Sequence, residues 1–287
     1  MIGRPIAIYL AAMLLGTVAA PTQAHDSSRI AERLDAAMAG AHRDPANAAR
    51  DMYRHPKGTL LFFGLEPGMT VVEIWPGGGW YTEILAPVLR DGGKYYAAGY
   101  DAAAEGQPAY RARVQKAFEE KLAKHPEVYD QVIVTKLALP GESDIAPPGS
   151  ADLVVTFRNT HTFLRADQAE AMFASFYTAL KPGGVLGVVQ HRAKPGLPLD
   201  AMKKSGYITE DKVIALAKGA GFVLAGRSEV NANPNDSADH PEGVWTLPPS
   251  LRLKDQDREK YLAIGESDRM TLKFIKPAAG EMPTLPE

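Results

Sequence analysis

The chain contains no cysteine. That absence excludes a disulfide framework, a thiolate metal site and a lipid-attachment cysteine, so the core alone must hold the protein together. An excess of positive charge is also missing. With a formal charge of -2 and a pI near 6.4, there is no basic field for a phosphate backbone, and nucleic acid is a poor partner. No apolar run reaches the roughly 20 residues that span a bilayer. Internal repeats and a second-domain boundary are absent too. What remains, 287 residues with 45% hydrophobic and 23% charged side chains, describes an ordinary globular protein of one domain.

The N-terminus carries a pattern of its own. MIGRP supplies a short positive region, residues 6–20 are apolar, and Thr22, Gln23 and Ala24 end on a small residue before His25. This is the form of a cleaved secretory signal over residues 1–24, removed near Ala24. The expectation is a periplasmic or secreted protein with no stable membrane insertion once the signal is gone.

Residues 25–69 read as helices laid ahead of a sheet. Ser28 is expected to cap a helix on which Ile30, Leu34 and Met38 recur every four residues, with Gly40 as its stop. A short helix follows from Asp44 and Pro45 to His55 and Pro56, and KGTLLFFGL adds an apolar turn. From residue 70 strand and helix patterns alternate. Strands are expected at 70–74, 94–99, 131–136, 151–157, 185–191, 222–230 and 271–276, and helices at 82–90, 110–125, 165–180 and 209–218. Strands apolar throughout are those whose two faces are covered by helices. The pattern therefore specifies an α/β domain over 70–287, a doubly wound, mostly parallel seven-stranded sheet whose last strand pairs antiparallel. Residues 231–268 form a polar, proline-rich connection far longer than usual, which marks a functional or disordered loop.

The stretch VVEIWPGGGWYTEIL, residues 71–85, is the most informative. In an open parallel sheet ligands bind beyond the carboxyl ends of the strands, and glycine there lets the main chain approach a ligand and take dihedrals that a Cβ forbids. A dinucleotide fingerprint needs Gly or Ala where Thr82 stands, which disfavours a nicotinamide cofactor. Aligned on the acid that ends the strand, the loop reads Glu73-x-Trp75-x-Gly77-x-Gly79. This resembles the E-x-G-x-G-x-G signature of class I S-adenosylmethionine-dependent methyltransferases, with Trp75 at the position of the family's first glycine.

Other segments extend the resemblance. Asp101 follows the second strand in YYAAGYD, ADLVVTFRNTHTFL is similar to the family's fourth strand, and LKPGGVLGVV to the approach to its fifth. More narrowly, WPGGGWY, FRNTH, NPNDSADHPEGVW and IGESDRMTLKF resemble a family of exported bacterial methyltransferases. The resemblance implies a Rossmann-like methyltransferase fold and S-adenosylmethionine as cofactor. By that implication Glu73 organises the loop and the methionine amino end, Gly77, Gly78 and Gly79 give close main-chain access, and Asp101 holds the ribose. Without the family, Glu73 reads as a carboxylate capping the loop's own amides and Asp101 as a solvated loop acid. After the third strand VIVTKLALP offers no acid for an adenine amino group, so Trp75 or Trp80 stacking on the adenine or on substrate is the expected compensation.

Methyl transfer from a sulfonium needs an acceptor placed in line, water excluded, and a base where the acceptor carries a proton. Arg158, Asn159 and His161, at the end of the fourth strand, are the candidate catalytic residues, with His161 as base or acceptor-orienting group, since imidazole titrates near neutrality. A histidine bonded to its local loop is the plain alternative. His191 and Arg192 end the neighbouring strand, and the long loop adds Asp236, Asp239, His240 and Glu242. Their spacing does not support a metal site, and a lid pinned by Asn231, Asn233 and Asn235 fits them better. Tyr53, Arg54 and His55 read either as a cover for the cofactor or as a solvated helix end. The functional expectation is methyl transfer to a small molecule or envelope component. Its rival is an exported, non-catalytic ligand-binding protein that keeps the same fold.

Overall fold

The computed structural model describes residues 22–104, 106–138 and 144–278. Residues 1–21 of the expected signal segment lie outside that range. Four helices precede the sheet: α1 (Thr22–Met38), α2 (Pro45–Ala48), α3 (Asp51–Arg54) and α4 (Pro56–Phe63). The first begins at Thr22, so it runs through Ala24 and carries Ser28 inside it rather than at its cap. Asp44 does cap α2, its carboxylate accepting from the Ala46 amide at 2.8 Å. The expected single helix from 44 to 56 is interrupted at Ala49 and Arg50, and it ends as expected at His55, which lies in the left-handed region at φ +39°.

The sheet elements follow in chain order as β1 (Thr70–Ile74), α5 (Thr82–Leu89), β2 (Lys94–Gly99), α6 (Ala109–Lys124), α7 (Pro126–Tyr129), β3 (Val132–Lys136), β4 (Ala151–Phe157), α8 (Thr160–Arg165), α9 (Ala169–Ala179), β5 (Leu180–His191), α10 (Leu199–Ser205), α11 (Glu210–Gly219), β6 (Val223–Ser228), a 3-10 turn (Gly243–Thr246), α12 (Arg258–Ile264) and β7 (Arg269–Ile275). The seven strands lie in the order β3-β2-β1-β4-β5-β7-β6. The first five in that row are parallel, and β7 runs antiparallel between β5 and β6. The expected helix over 165–180 starts later, as α9 at Ala169, because Asp167 turns left-handed at φ +54°, and a separate α8 that was not expected precedes it.

Side-chain alternation assigns the core. In β1, Val72 and Ile74 join a cluster with Phe173, Phe176, Leu216 and Phe274, while Val71 joins Leu34, Leu60, Ile84 and Leu85 on the other face. None of these side chains reaches more than 5% exposure, and burial of each contributes about 1.5–3 kcal/mol. Helices covering both faces leave only the strand ends open to a ligand. At the carboxyl edge, β1 and β4 meet at the pair Ile74 and Thr156. Because β7 is antiparallel, its first residue, Arg269, sits opposite His191 at that same edge.

Candidate functional site

The bend after β1 has a distinctive backbone. Trp75, Gly77 and Gly79 take φ values of +46°, +60° and +76°, so alternate residues are left-handed at the three positions where the signature places glycine. A Cβ built on Gly77 or Gly78 would meet nothing within 4 Å, whereas on Gly79 it would meet the Phe118 ring at 3.1 Å. The bend is held from below by Asn159, whose Nδ2 donates to the Ile74 carbonyl at 2.7 Å, and from the side by Lys121, whose Nζ donates to the Gly78 carbonyl at 3.0 Å. Asn159 thus positions the bend.

Gly77 and Gly78 line a cavity of about 350 Å³, at the lower end of the range for small-molecule sites. Glu73, Arg158, Asn159, His161 and His191 line it from the strand ends, Arg50 and Arg54 from the N-terminal helices, and Trp245 and Glu266 from the long connection. Arg54 is therefore a cavity residue and not a solvated helix end, being 2% exposed with its Cζ 4.6 Å from the Trp80 ring centre. The connection itself is fastened. Asp236 accepts from the Tyr207 hydroxyl at 3.0 Å, the Asp268 amide at 2.8 Å and His240 Nε2 at 2.8 Å, and Asn233 Nδ2 donates to the Ile264 and Glu266 carbonyls. Asn231 departs from the expected pattern, donating to the Thr59 and Thr271 hydroxyls rather than to main chain. Asn235 is held through its own amide, which donates to Asn233 Oδ1 at 3.0 Å.

Electrostatics reassign several side chains. Glu73 is 3% exposed and accepts from the Tyr95 and Thr82 hydroxyls, not from loop amides. Burial pushes its carboxyl up to about 7, with those hydrogen bonds opposing. His161, expected to titrate near neutrality, does not: burial, then Arg165, holds it at about 3, leaving a neutral ring within 3.4 Å of Gln190 Nε2. His191 is likewise driven down by burial and by His161, with its Nδ1 2.5 Å from Ser267 Oγ. A neutral His161 orients a ligand by hydrogen bonding and has little power as a base.

Both tryptophans are engaged within the protein. The Trp75 indole, 4% exposed, donates from Nε1 to the Leu137 carbonyl at 3.1 Å, lies 4.9 Å from the Tyr100 ring and 5.0 Å from Phe163, and has the Arg111 Cζ 4.5 Å from its centre. Trp80 donates to the Asn47 carbonyl at 2.9 Å, with Arg43 and Arg54 near its ring. Asp101 does not line the cavity. It accepts from the Ala103 amide and pairs with Lys136 Nζ at 3.5 Å. Among the described residues no group of three or more His, Asp or Glu side chains is placed to hold a metal ion. Nor is any helix there long and apolar enough to cross a membrane.

Sequence reasoning missed Glu266, Arg50 and Arg269. The Glu266 carboxylate meets Arg50 Nε at 2.5 Å, Arg54 Nε at 3.3 Å and Arg269 Nη2 at 2.5 Å. Burial raises its carboxyl, but the surrounding guanidiniums outweigh that and pull it down to about 2. The antiparallel course of the last strand was the available signal, since it puts the start of that strand, and so ESDR, at the carboxyl edge.

No family model matches the chain, and no curated protein does either. Solved structures do. A SAM dependent methyltransferase from Aquifex aeolicus aligns with a TM-score of 0.52 at 18% identity, covering 88% of this chain and 98% of that one. The cyclase SpnF aligns with a TM-score of 0.54 at 17% identity, covering 84% and 86%. The chain has the class I methyltransferase fold. Identities this low speak for the fold alone, and the reaction has to be argued from the site.

The residues at the bend fit the amino-acid end of S-adenosylmethionine: a main-chain cradle open over Gly77 and Gly78, with an ionisable carboxyl, Glu73, at its base. The nucleoside end is less well provided. Asp101 is turned to Lys136, and Trp75, although it borders the cavity, is 4% exposed with its ring packed against Tyr100, Phe163 and Arg111.

Proposed function

We propose that the protein is an S-adenosylmethionine-dependent methyltransferase acting on a small molecule or envelope component. The observation that carries this reading is the left-handed backbone at 75, 77 and 79 at the end of β1, with open space over Gly77 and Gly78. Gly77, Gly78 and Glu73 would hold the cofactor, which when bound supplies a methyl group activated by its sulfonium. The chain's own residues do the remainder. Asn159 fixes the bend, His161 orients the acceptor as a neutral hydrogen-bonding group, and the connection around Trp245 excludes water. With His161 held neutral by burial and Glu73 committed to the cofactor, the site suits an acceptor whose reacting atom carries no proton to be removed.

The amino-terminal pattern and the resemblance of FRNTH and IGESDRMTLKF to exported bacterial methyltransferases support a further part of the proposal, that the chain works outside the cytoplasm. N-terminal sequencing of protein released by osmotic shock should begin near His25. Recovery only from the cytoplasm with Met1 intact would contradict export.

A second reading, an exported ligand-binding protein without turnover, is favoured by the placement of Asp101 and Trp75. Calorimetric titration with S-adenosylmethionine and S-adenosylhomocysteine separates the two. The methyltransferase reading expects micromolar binding of both, weakened about tenfold or more by Gly78→Val, whose Cβ meets no neighbour in the fold. Absence of heat with either ligand favours the second reading.

A further inference from the structure

The cavity holds more positive charge than it balances. Three guanidiniums line it, those of Arg50, Arg54 and Arg158, and Arg269 stands behind them; Arg50, Arg54 and Arg269 share the single carboxylate of Glu266. Glu266 is ionised, while Glu73, poised near 7, offsets at most one of the three charges left over.

Arg158 is the unusual member. Among the described residues no side chain or carbonyl accepts from its guanidinium. Its backbone is left-handed at φ +62°, a conformation that disfavours any residue with a Cβ, and Arg158 lines the cavity from it. Arg50 adds a second open valence: Nη2 is buried with no partner, although Nε meets Glu266. A buried nitrogen without an acceptor, as at Arg50 Nη2, is costly unless something fills it, and the half-buried Arg158 presents an unpaired fork to the same cavity; planar nitrogen forks match carboxylate and phosphate oxygens.

We propose that Arg158 and Arg50, backed by Arg54 and Arg269, form an anion subsite that takes a carboxylate or phosphate group of the bound ligand. Where that group belongs to the methyl acceptor, the inference rests on the methyltransferase reading and names its substrate class, an anionic molecule. Such an acceptor would also offset the charge of a cationic donor entering a positive cavity.

The test uses the full chain, with inorganic phosphate and acetate as probes. In wild type, phosphate should raise the melting temperature and show saturable heat by calorimetry. Arg158→Gln should weaken phosphate about tenfold or more. Without anion that variant should melt at or above wild type, because an unbalanced positive charge has gone. A merely structural arginine would give the reverse, a lower melting temperature with phosphate binding unchanged, and that result overturns the proposal. So does phosphate binding that is absent, or equal in both proteins.

Repeating the phosphate titration with S-adenosylhomocysteine saturating tells the two sources apart. Additive binding assigns the subsite to the acceptor, and competition assigns it to the carboxylate of the cofactor's own methionine end. If phosphate binds and S-adenosylhomocysteine does not, the subsite survives and the methyltransferase reading falls. The opposite pattern removes the subsite and leaves that reading intact.

Discussion

Trp75 offers a sharp test of the bend, because glycine and alanine there should reverse their usual order. Truncating a buried aromatic to alanine removes its packing and leaves a void, about 3–5 kcal/mol in well-packed cores. At 4% exposure, with contacts to Tyr100, Phe163 and Arg111, Trp75 qualifies for that range. Alanine would keep the strain of φ +46°, about 1–2 kcal/mol for a residue with a Cβ. Glycine releases that strain and loses about 0.5–1 kcal/mol to the freedom of the unfolded chain. Trp75→Gly should therefore be the more stable variant by about 0.5–1 kcal/mol, or roughly 2 °C, with both about 10 °C below wild type. Thermal unfolding of the three proteins under one buffer decides it. Alanine melting above glycine would show that position 75 does not require a left-handed residue, and the alignment with the glycine signature would fail. The same proteins carry a ligand readout. If the indole stands where a nucleoside would go, both variants should bind S-adenosylhomocysteine more tightly than wild type.

Three further outcomes follow from the charges and the connection. Glu266→Gln takes the shared counterion from three guanidiniums and should cost about 3–5 kcal/mol in denaturant unfolding, part of it regained in phosphate buffer; a loss under 1 kcal/mol would show that these arginines are not held by this carboxylate. Glu73 has a folded-state pKa raised from 4.5 to about 7, so the stability it contributes is fully present below pH 4.5 and is lost as pH rises through 7. Glu73→Gln should consequently gain up to about 3 kcal/mol relative to wild type between pH 4.5 and 8.5, and an equal difference at both pH values would refute the raised pKa. Asp236→Ala frees Tyr207, His240 and the Asp268 amide together, and should speed hydrogen exchange across 231–268 while β1 and β4 remain protected; uniform exchange rates would mean that the connection is fastened elsewhere.

How far the residues disclosed this arrangement depends on whether a feature is local. Strands such as β2 and β4 are continuous apolar runs whose ends coincide with charged or turn residues, so their limits were legible. The separate α8 and the late start of α9 were not, because nothing in the run around Asp167 marks a left-handed residue. The bend was legible for the same reason as the strands, as a compact pattern of glycines after an acid. The arginine ring was hidden because α3 and its flank, the end of β4 and the start of β7 each contribute one or two residues from far apart in the chain. His161 shows the limit of reading a residue by its ordinary chemistry: a free imidazole titrates near neutrality, but burial beside Arg165 removes that property. Asp101 had the right spacing, and its partner Lys136, from the end of the next strand, was the information missing from the linear sequence.

The central claim is that the open bend receives an adenosyl ligand. A crystal structure of the chain grown with S-adenosylhomocysteine tests it most directly. The account predicts the ligand's amino-acid end over Gly77 and Gly78 near Glu73, with the Trp75 ring moved from its slot against Tyr100. A bend left empty at saturating ligand, with the indole still bonded to Leu137, would contradict it.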